Sequence, residues 1–532
     1  MFSQLIPRPV EMQRKNGHFE PDNNTTIIFD KNDNELENTI SFFADRIEHI
    51  TGISLSENNK DAYKSICFEK INGNRHQELG NEGYILDVDN KKIIVQYRDV
   101  RGAFYGAQSL LQFLPMVRTN EKPIVPNLTI KDYPRYAWRG MMLDVSRHFF
   151  TVETIKNTLD MLAFYKINTF HWHLCDNEGW RLEIKKYPKL TEVGAWRMDM
   201  PYSRIYQKDY VPTGTPYKYG GYYTQEQARE VVEYAKKLNI TVIPEIEMPG
   251  HSGAALAAYP EYSCTQTPNE TPNKLLHQSK EHSEKFHQNY CAGNDAAFDF
   301  LEDVLAEVFD IFPSEYIHIG GDEVDKKDWK NCPKCQARMK AEHLKNEEEL
   351  QSYFIRRIEK FLLKHNRKLL GWDEILEGKL AESATVMSWR GEKGGIEAAK
   401  MGHHVVMTPS NPLYFIRHQD STDVDKFHAP TYSINSLDKV YAYNPSTDKL
   451  SKKEHEYILG SQFAVWTEFM PSVGHFEYMV YPRMQAFAEL VWTPLARKDF
   501  DDFVERLNQY HFPYWQMLGI RFHPRYYKDI AY

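Results

Sequence analysis

The 532-residue chain lacks any run of about 18 apolar residues, so no transmembrane helix is expected. Its first residues, Met1-Phe-Ser-Gln-Leu-Ile-Pro-Arg-Pro9, lack the apolar core of a secretory signal. A periplasmic or secreted location is expected only if a signal was removed ahead of Met1; otherwise the compartment stays open. Basic blocks are missing too, and the net charge is -9, so no nucleic-acid partner is expected. Cysteine is scarce, six residues in all, too few for a disulfide scaffold. Cys332-Pro-Lys-Cys335 has the spacing of half a zinc site, but no second such pair or nearby histidine pair completes it. A loop thiol pair is expected there, and a bridge between Cys264 and Cys291 stays open. No metal and no cofactor are expected.

What is present is a globular composition, 42% hydrophobic and 26% charged, long enough for two or three domains. Aromatics are abundant at 14%, including 10 Trp and 33 Tyr, which suits a sugar site but also a large core. Residues 1–133 mix strand-like runs (26–29, 65–68, 84–88, 92–97) with a helical pattern at 101–113, predicting a small α+β domain. Asp89-Asn90-Lys91 fits a hairpin turn. Residues 123–134, with three prolines, read as a linker.

From 134 to 532 strands alternate with helices. Strand-like runs fall at 140–145, 169–174, 241–246, 316–319, 368–371, 384–387, 404–407 and 461–465. Thr224 and Gln227 form a capping-box pattern, and 297–308 carries an apolar stripe at helical spacing. Eight strands predict a (β/α)8 TIM barrel, followed by a carboxyl-terminal helical tail, with its active site at the carboxyl ends of the strands. The run Tyr316-Ile-His-Ile-Gly-Gly-Asp-Glu-Val324 is central, because two glycines stop an apolar strand and deliver two adjacent acids. Arg139 lies beside the first strand. Asp176, Trp180 and Arg181 follow the second; Glu245, Glu247 and His251 follow the third. Trp372, Asp373 and Glu374 end the fifth, Ser388, Trp389 and Arg390 the sixth. Tyr414 lies beyond the seventh, and Trp466 and Glu468 end the eighth. Three tryptophans among acids at separate strand ends suit a pyranose, whose C–H faces stack on rings.

Six motifs in order resemble the family-20 glycoside hydrolases, the β-N-acetylhexosaminidases. They are Arg139-Gly-Met-Met-Leu-Asp-Val-Ser-Arg-His148, His171-Trp-His-Leu-Cys-Asp-Asn-Glu-Gly-Trp-Arg181, Glu247-Met-Pro-Gly-His251, His318-Ile-Gly-Gly-Asp-Glu323, Gly371-Trp-Asp-Glu374 and Trp466-Thr-Glu468. The resemblance implies exo action on terminal GlcNAc or GalNAc, with the substrate's acetamide as nucleophile. By resemblance Glu323 is the acid/base, Asp322 orients the acetamide, and Tyr414 donates to its oxygen. His251 and Asp176 match a pair leaning on Glu323. Arg139 and Glu468 would hold ring hydroxyls, while Trp372, Trp389 and Trp466 would wall the pocket. Glu323 is expected to have a raised pKa from burial and the charge of Asp322.

After Tyr414 many members carry an Asp two residues on, where this chain has Ile416. Arg417 is similar in position to the arginine with which the family's lysosomal alpha subunit accommodates 6-sulfated sugars. This implies acceptance of 6-O-sulfated GlcNAc. Two alternatives stand beside this reading. His171-Trp-His173 suits a metal-dependent amidohydrolase-type barrel, and a catalytically inactive carbohydrate-binding protein would share the fold. A chitinase-like barrel would carry Asp-x-x-Asp-x-Asp-x-Glu, a signature this chain lacks. The expected partner is a glycan, and the sequence leaves homodimer formation open.

Overall fold

The strands of the small domain follow from their alternation. In Tyr84–Val88 and Lys92–Tyr97 every second residue is buried, and the two pair antiparallel with Val88 opposite Ile93. Asp89 shapes the turn by accepting from the backbone N–H of Lys91 and Lys92. The computed structural model describes residues 4–59, 61–114, 122–198, 218–267, 287–423 and 433–528. Within them the small domain is a seven-stranded mixed sheet covered by helices Asn34–Thr51 and Val100–Leu111. The proline-rich stretch expected as a linker is instead a strand, Val125–Asp132, paired with both Glu11–Phe19 and Tyr84–Val88. Pro126 is tolerated because it sits opposite His18, beyond an irregularity in the register.

The eight expected strands close into one parallel barrel: Trp138–Asp144, Thr169–His173, Thr241–Glu245, Tyr316–His318, Lys368–Trp372, Thr385–Ser388, Val405–Met407 and Ile458–Val465. The last pairs with the first, Ser461 opposite Arg139. The first two strands are buried throughout, as expected when helices cover the outer face and side chains fill the interior. Helix Gln225–Lys237 starts with the capping box of Thr224 and Gln227, and Asp295–Ile311 turns its apolar stripe inward. Helices Phe500–Arg506 and Phe512–Leu518 form the tail. Among the described residues no helix is long and apolar enough to cross a membrane.

The barrel floor meets the small domain through buried charges. Arg139, second residue of the first strand, donates to both oxygens of Glu82 at 2.7 and 2.9 Å and to the Tyr105 hydroxyl at 3.1 Å. Lys166 donates to Asp132 at 2.9 Å. Cys264 and Cys291 are not bridged to each other, and they gather with Cys332 and Cys335.

Candidate active site

Beyond the fourth strand, Gly320 and Gly321 have φ of +70° and +88°. A Cβ on Gly320 would overlap the Glu247 carboxylate, so only glycine lets the chain turn here. The turn presents both acids to one neighbour but at different depths: Asp322 is buried, while the Glu323 side chain is 60% exposed. Glu323 and His251 both adopt left-handed backbone, φ +45° and +48°, an uncommon conformation for such residues.

These two strained residues face each other. His251 Nδ1–H donates to Asp176 Oδ1 at 3.0 Å, and its Nε2 lies 3.5 Å from both Asp322 Oδ2 and Glu323 Oε2. Arg147 pairs with Asp176 at 2.9 Å, with Glu178 at 2.8 Å and with Asp144 at 3.1 Å. Burial disfavours charge on Asp176, but Arg147 and His251 outweigh it and hold this carboxyl well below its usual range. Burial likewise opposes charge on His251, yet Asp176 and Asp322 keep its pKa well above an ordinary imidazole.

The expected shift on Glu323 is reversed. The hydrogen bond from His251 holds its pKa below the usual value, outweighing burial, which acts to raise it. Asp322 is the raised member, pushed up to about 6 by burial and by the charges of Glu245 and Glu323, against His251.

Around the acids stand aromatic walls. Trp389 stacks on Tyr414 with centroids 5.9 Å apart and 12° between planes. Trp466 lies 5.9 Å from Trp372 and 6.0 Å from Tyr414. Trp389 Nε1–H donates to Glu374 at 2.9 Å, and Trp372 Nε1–H to Glu245 at 2.8 Å. Burial, then the charge of Asp322, pushes Glu374 up to about 8. Burial also raises Glu468 to about 7, although Arg147 lies 3.7 Å away. Arg147 also sits over the Trp466 ring at 5.1 Å.

Arg417 donates to the hydroxyls of Ser410 and Ser433, beside a buried Ile416. Beneath everything Glu245 is gripped by His171, His173 and His318. The amidohydrolase-type pair is therefore floor: both histidines are fully buried, His173 is bound to Asp176 as well, and Gln462 contacts His171. Trp180 and Arg181 are scaffold too. Arg181 is buried and donates to the carbonyls of Val145, Ser146, Ala195 and Gly221.

The carboxyl ends of the strands thus bring together paired acids, an imidazole between that pair and Asp176, and a cluster of aromatic rings. Residues 136–495 match the catalytic domain of glycosyl hydrolase family 20, and residues 3–133 match domain 2 of the same family. The chain belongs to glycosyl hydrolase family 20. It is 45% identical over 511 residues to the beta-hexosaminidase of Porphyromonas gingivalis, covering 95% of this chain and 62% of that one. The beta-hexosaminidase of Vibrio furnissii is 37% identical over 430 residues, covering 77% of this chain and 65% of that one. The chain therefore spans somewhat under two thirds of the length of these two relatives. The crystal structure of a family-20 exo beta-N-acetylglucosaminidase from Vibrio harveyi in complex with N-acetylglucosamine superposes with a TM-score of 0.85. It is 30% identical, and the match covers 99% of this chain and 79% of that one.

The expectation that Arg139 holds a ring hydroxyl is not met. Arg139 is not in the cleft, since it stands at the amino end of the first strand and is consumed by Glu82 and Tyr105. The arginine of the same motif that reaches the site is Arg147, beside Asp176 and Glu468. A positional signal distinguishes them: Arg147 comes three residues after the strand ends at Asp144, on the catalytic face, whereas Arg139 comes one residue after it begins.

Proposed function

We propose that this chain is an exo-acting, retaining β-N-acetylhexosaminidase that removes terminal β-linked GlcNAc or GalNAc by substrate-assisted catalysis. The observation that carries the reading is the buried Asp322 beside the outward Glu323, both facing His251 within walls of Trp372, Trp389, Trp466 and Tyr414. The name of the Vibrio harveyi protein, an exo beta-N-acetylglucosaminidase, supports the same class.

In the first step Glu323 protonates the glycosidic oxygen. The C1–O bond breaks as the acetamide oxygen bonds to C1, giving an oxazolinium-type ring. Ionised Asp322 accepts the acetamide N–H and offsets the positive charge that develops there, while Tyr414 donates to the acetamide oxygen. In the second step water attacks C1, the ring C1–O bond breaks to restore the acetamide, Glu323 takes the water's proton, and two inversions leave net retention. Before the reaction Glu323 must hold a proton. A sugar seated on the tryptophans removes water from its carboxyl, and burial favours the neutral acid. Protonated His251 lies 3.5 Å from Glu323 Oε2 and is placed to relay that proton. Arg147 and Glu468 hold ring hydroxyls by charge-assisted hydrogen bonds.

Steady-state rates on an aryl N-acetyl-β-glucosaminide and on the matching aryl β-glucoside test this. Turnover is expected only with the acetamide, together with tight inhibition by a thiazoline mimic of the intermediate. Equal hydrolysis of both substrates would overturn it.

The finer reading is that 6-O-sulfated GlcNAc is accepted. Its support is the guanidinium of Arg417 braced by Ser410 and Ser433, with apolar Ile416 where a carboxylate would repel sulfate. Arg417→Ala should lower kcat/KM on the 6-sulfated aryl substrate about tenfold or more and leave the unsulfated one nearly unchanged. An unaltered ratio sinks it.

A further inference from the structure

Away from the cleft, four thiols converge from three separate segments. Cys264 follows the turn Pro260–Tyr262, Cys291 follows Tyr290, and Cys332 and Cys335 open helix Pro333–Ala341. Cys264 Sγ lies 3.7 Å from Cys335 Sγ, and Cys291 Sγ lies 3.7 Å from both Cys332 and Cys335. All four sulfurs fall within 4.8 Å of one another, and three of the four cysteines are buried.

This geometry separates two chemistries. A disulfide brings two sulfurs to about 2.05 Å and gives each cysteine one partner. Here Cys291 and Cys335 each stand at the same distance from two partners, as ligands of a common central atom do. Four sulfurs arranged tetrahedrally around zinc at about 2.3 Å are separated by about 3.8 Å, which matches the spacing seen. The backbone is shaped to hold them. A Cβ on Gly293 would overlap the carbonyl of Lys334, so glycine alone lets the Cys291 loop lie against the Cys332–Cys335 turn. Cys332 is the N-cap of the helix and Pro333 occupies its first turn, so Cys332 and Cys335 are held together on one turn at the helix start.

We propose that Cys264, Cys291, Cys332 and Cys335 are the ligands of one structural zinc ion. Binding releases the thiol protons to solvent and leaves a closed tetrathiolate of net charge about -2. The site pins the loop after the third barrel strand to the segment after the fourth. Those are the segments that carry His251 and the Asp322–Glu323 pair. The tie continues through direct bonds: Tyr290 N–H donates to Pro249 O at 2.9 Å, Trp329 Nε1–H donates to Tyr290 O at 2.9 Å, and Asn289 donates to Asp325 O. The zinc does no chemistry; it fixes one wall of the cleft.

The test is metal content of the full chain, purified without chelator from zinc-supplemented medium. One zinc per chain by elemental mass spectrometry is expected, with all six cysteines alkylated after denaturation without reductant. Growth in cobalt should give the visible absorption of tetrahedral thiolate cobalt(II), a readout that needs no variant. The Cys332→Ser/Cys335→Ser double variant should carry no zinc, while Cys67→Ser, outside the cluster, should keep it. Zinc-free protein with two disulfides, zinc-free protein with four free thiols, or iron in place of zinc would each overturn the assignment.

Discussion

Asp322 and Glu323 differ by one position and take opposite pKa shifts, and this sets the pH dependence. On the proposed mechanism Asp322 is ionised to receive the acetamide N–H while Glu323 holds the acid proton, yet in the free protein burial raises Asp322 to about 6 and His251 lowers Glu323. The one proton the pair must keep is lost as the pH rises through about 6, so kcat/KM should fall on the alkaline side with a midpoint near 6. An alkaline limb far above 6 would show that Asp322 does not hold that proton, and Asp322→Asn should lower the rate and shift this limb to lower pH. The pair itself was legible in sequence, because two glycines after an apolar strand announce a turn at the catalytic face. Which acid is buried was not legible, since burial depends on the floor of Glu245 and its histidines, assembled from three strands. The same limit explains Arg139. Its motif was visible, but whether it or Arg147 reached the site depended on where the strand began and ended.

At the scale of the element, the turn after the fourth strand is the most constrained piece. Gly320→Ala must bear left-handed backbone and a collision with Glu247, whereas Gly519→Ala, at φ +69° with open space around it, bears only the backbone cost. That backbone cost alone is about 1–2 kcal/mol. Thermal unfolding should show a clearly larger loss for Gly320→Ala, with activity abolished, while Gly519→Ala stays active. Equal losses would mean the turn is looser than it looks. Strands were readable wherever apolar periodicity and β-branched residues agreed, which covered all eight barrel members. Val125–Asp132 was hidden by Pro126 and the prolines that flank it, and the cysteine cluster by the long sequence separation of its members. Proximity of that kind is a property of the closed barrel and not of spacing.

For the whole molecule, the junction between sheet and barrel decides stability. Arg139→Ala leaves Glu82 largely buried without its cation and should cost about 3–5 kcal/mol. The melting temperature should fall, while KM for the folded fraction stays near its original value. A raised KM with unchanged melting would return Arg139 to the substrate. The same junction bears on any shortened version of the protein. A barrel produced from residue 134 onward would strand two interior cations, Arg139 without Glu82 and Lys166 without Asp132. The small sheet is thus the foundation on which the barrel stands, and a truncation there should yield aggregate rather than a smaller folded protein.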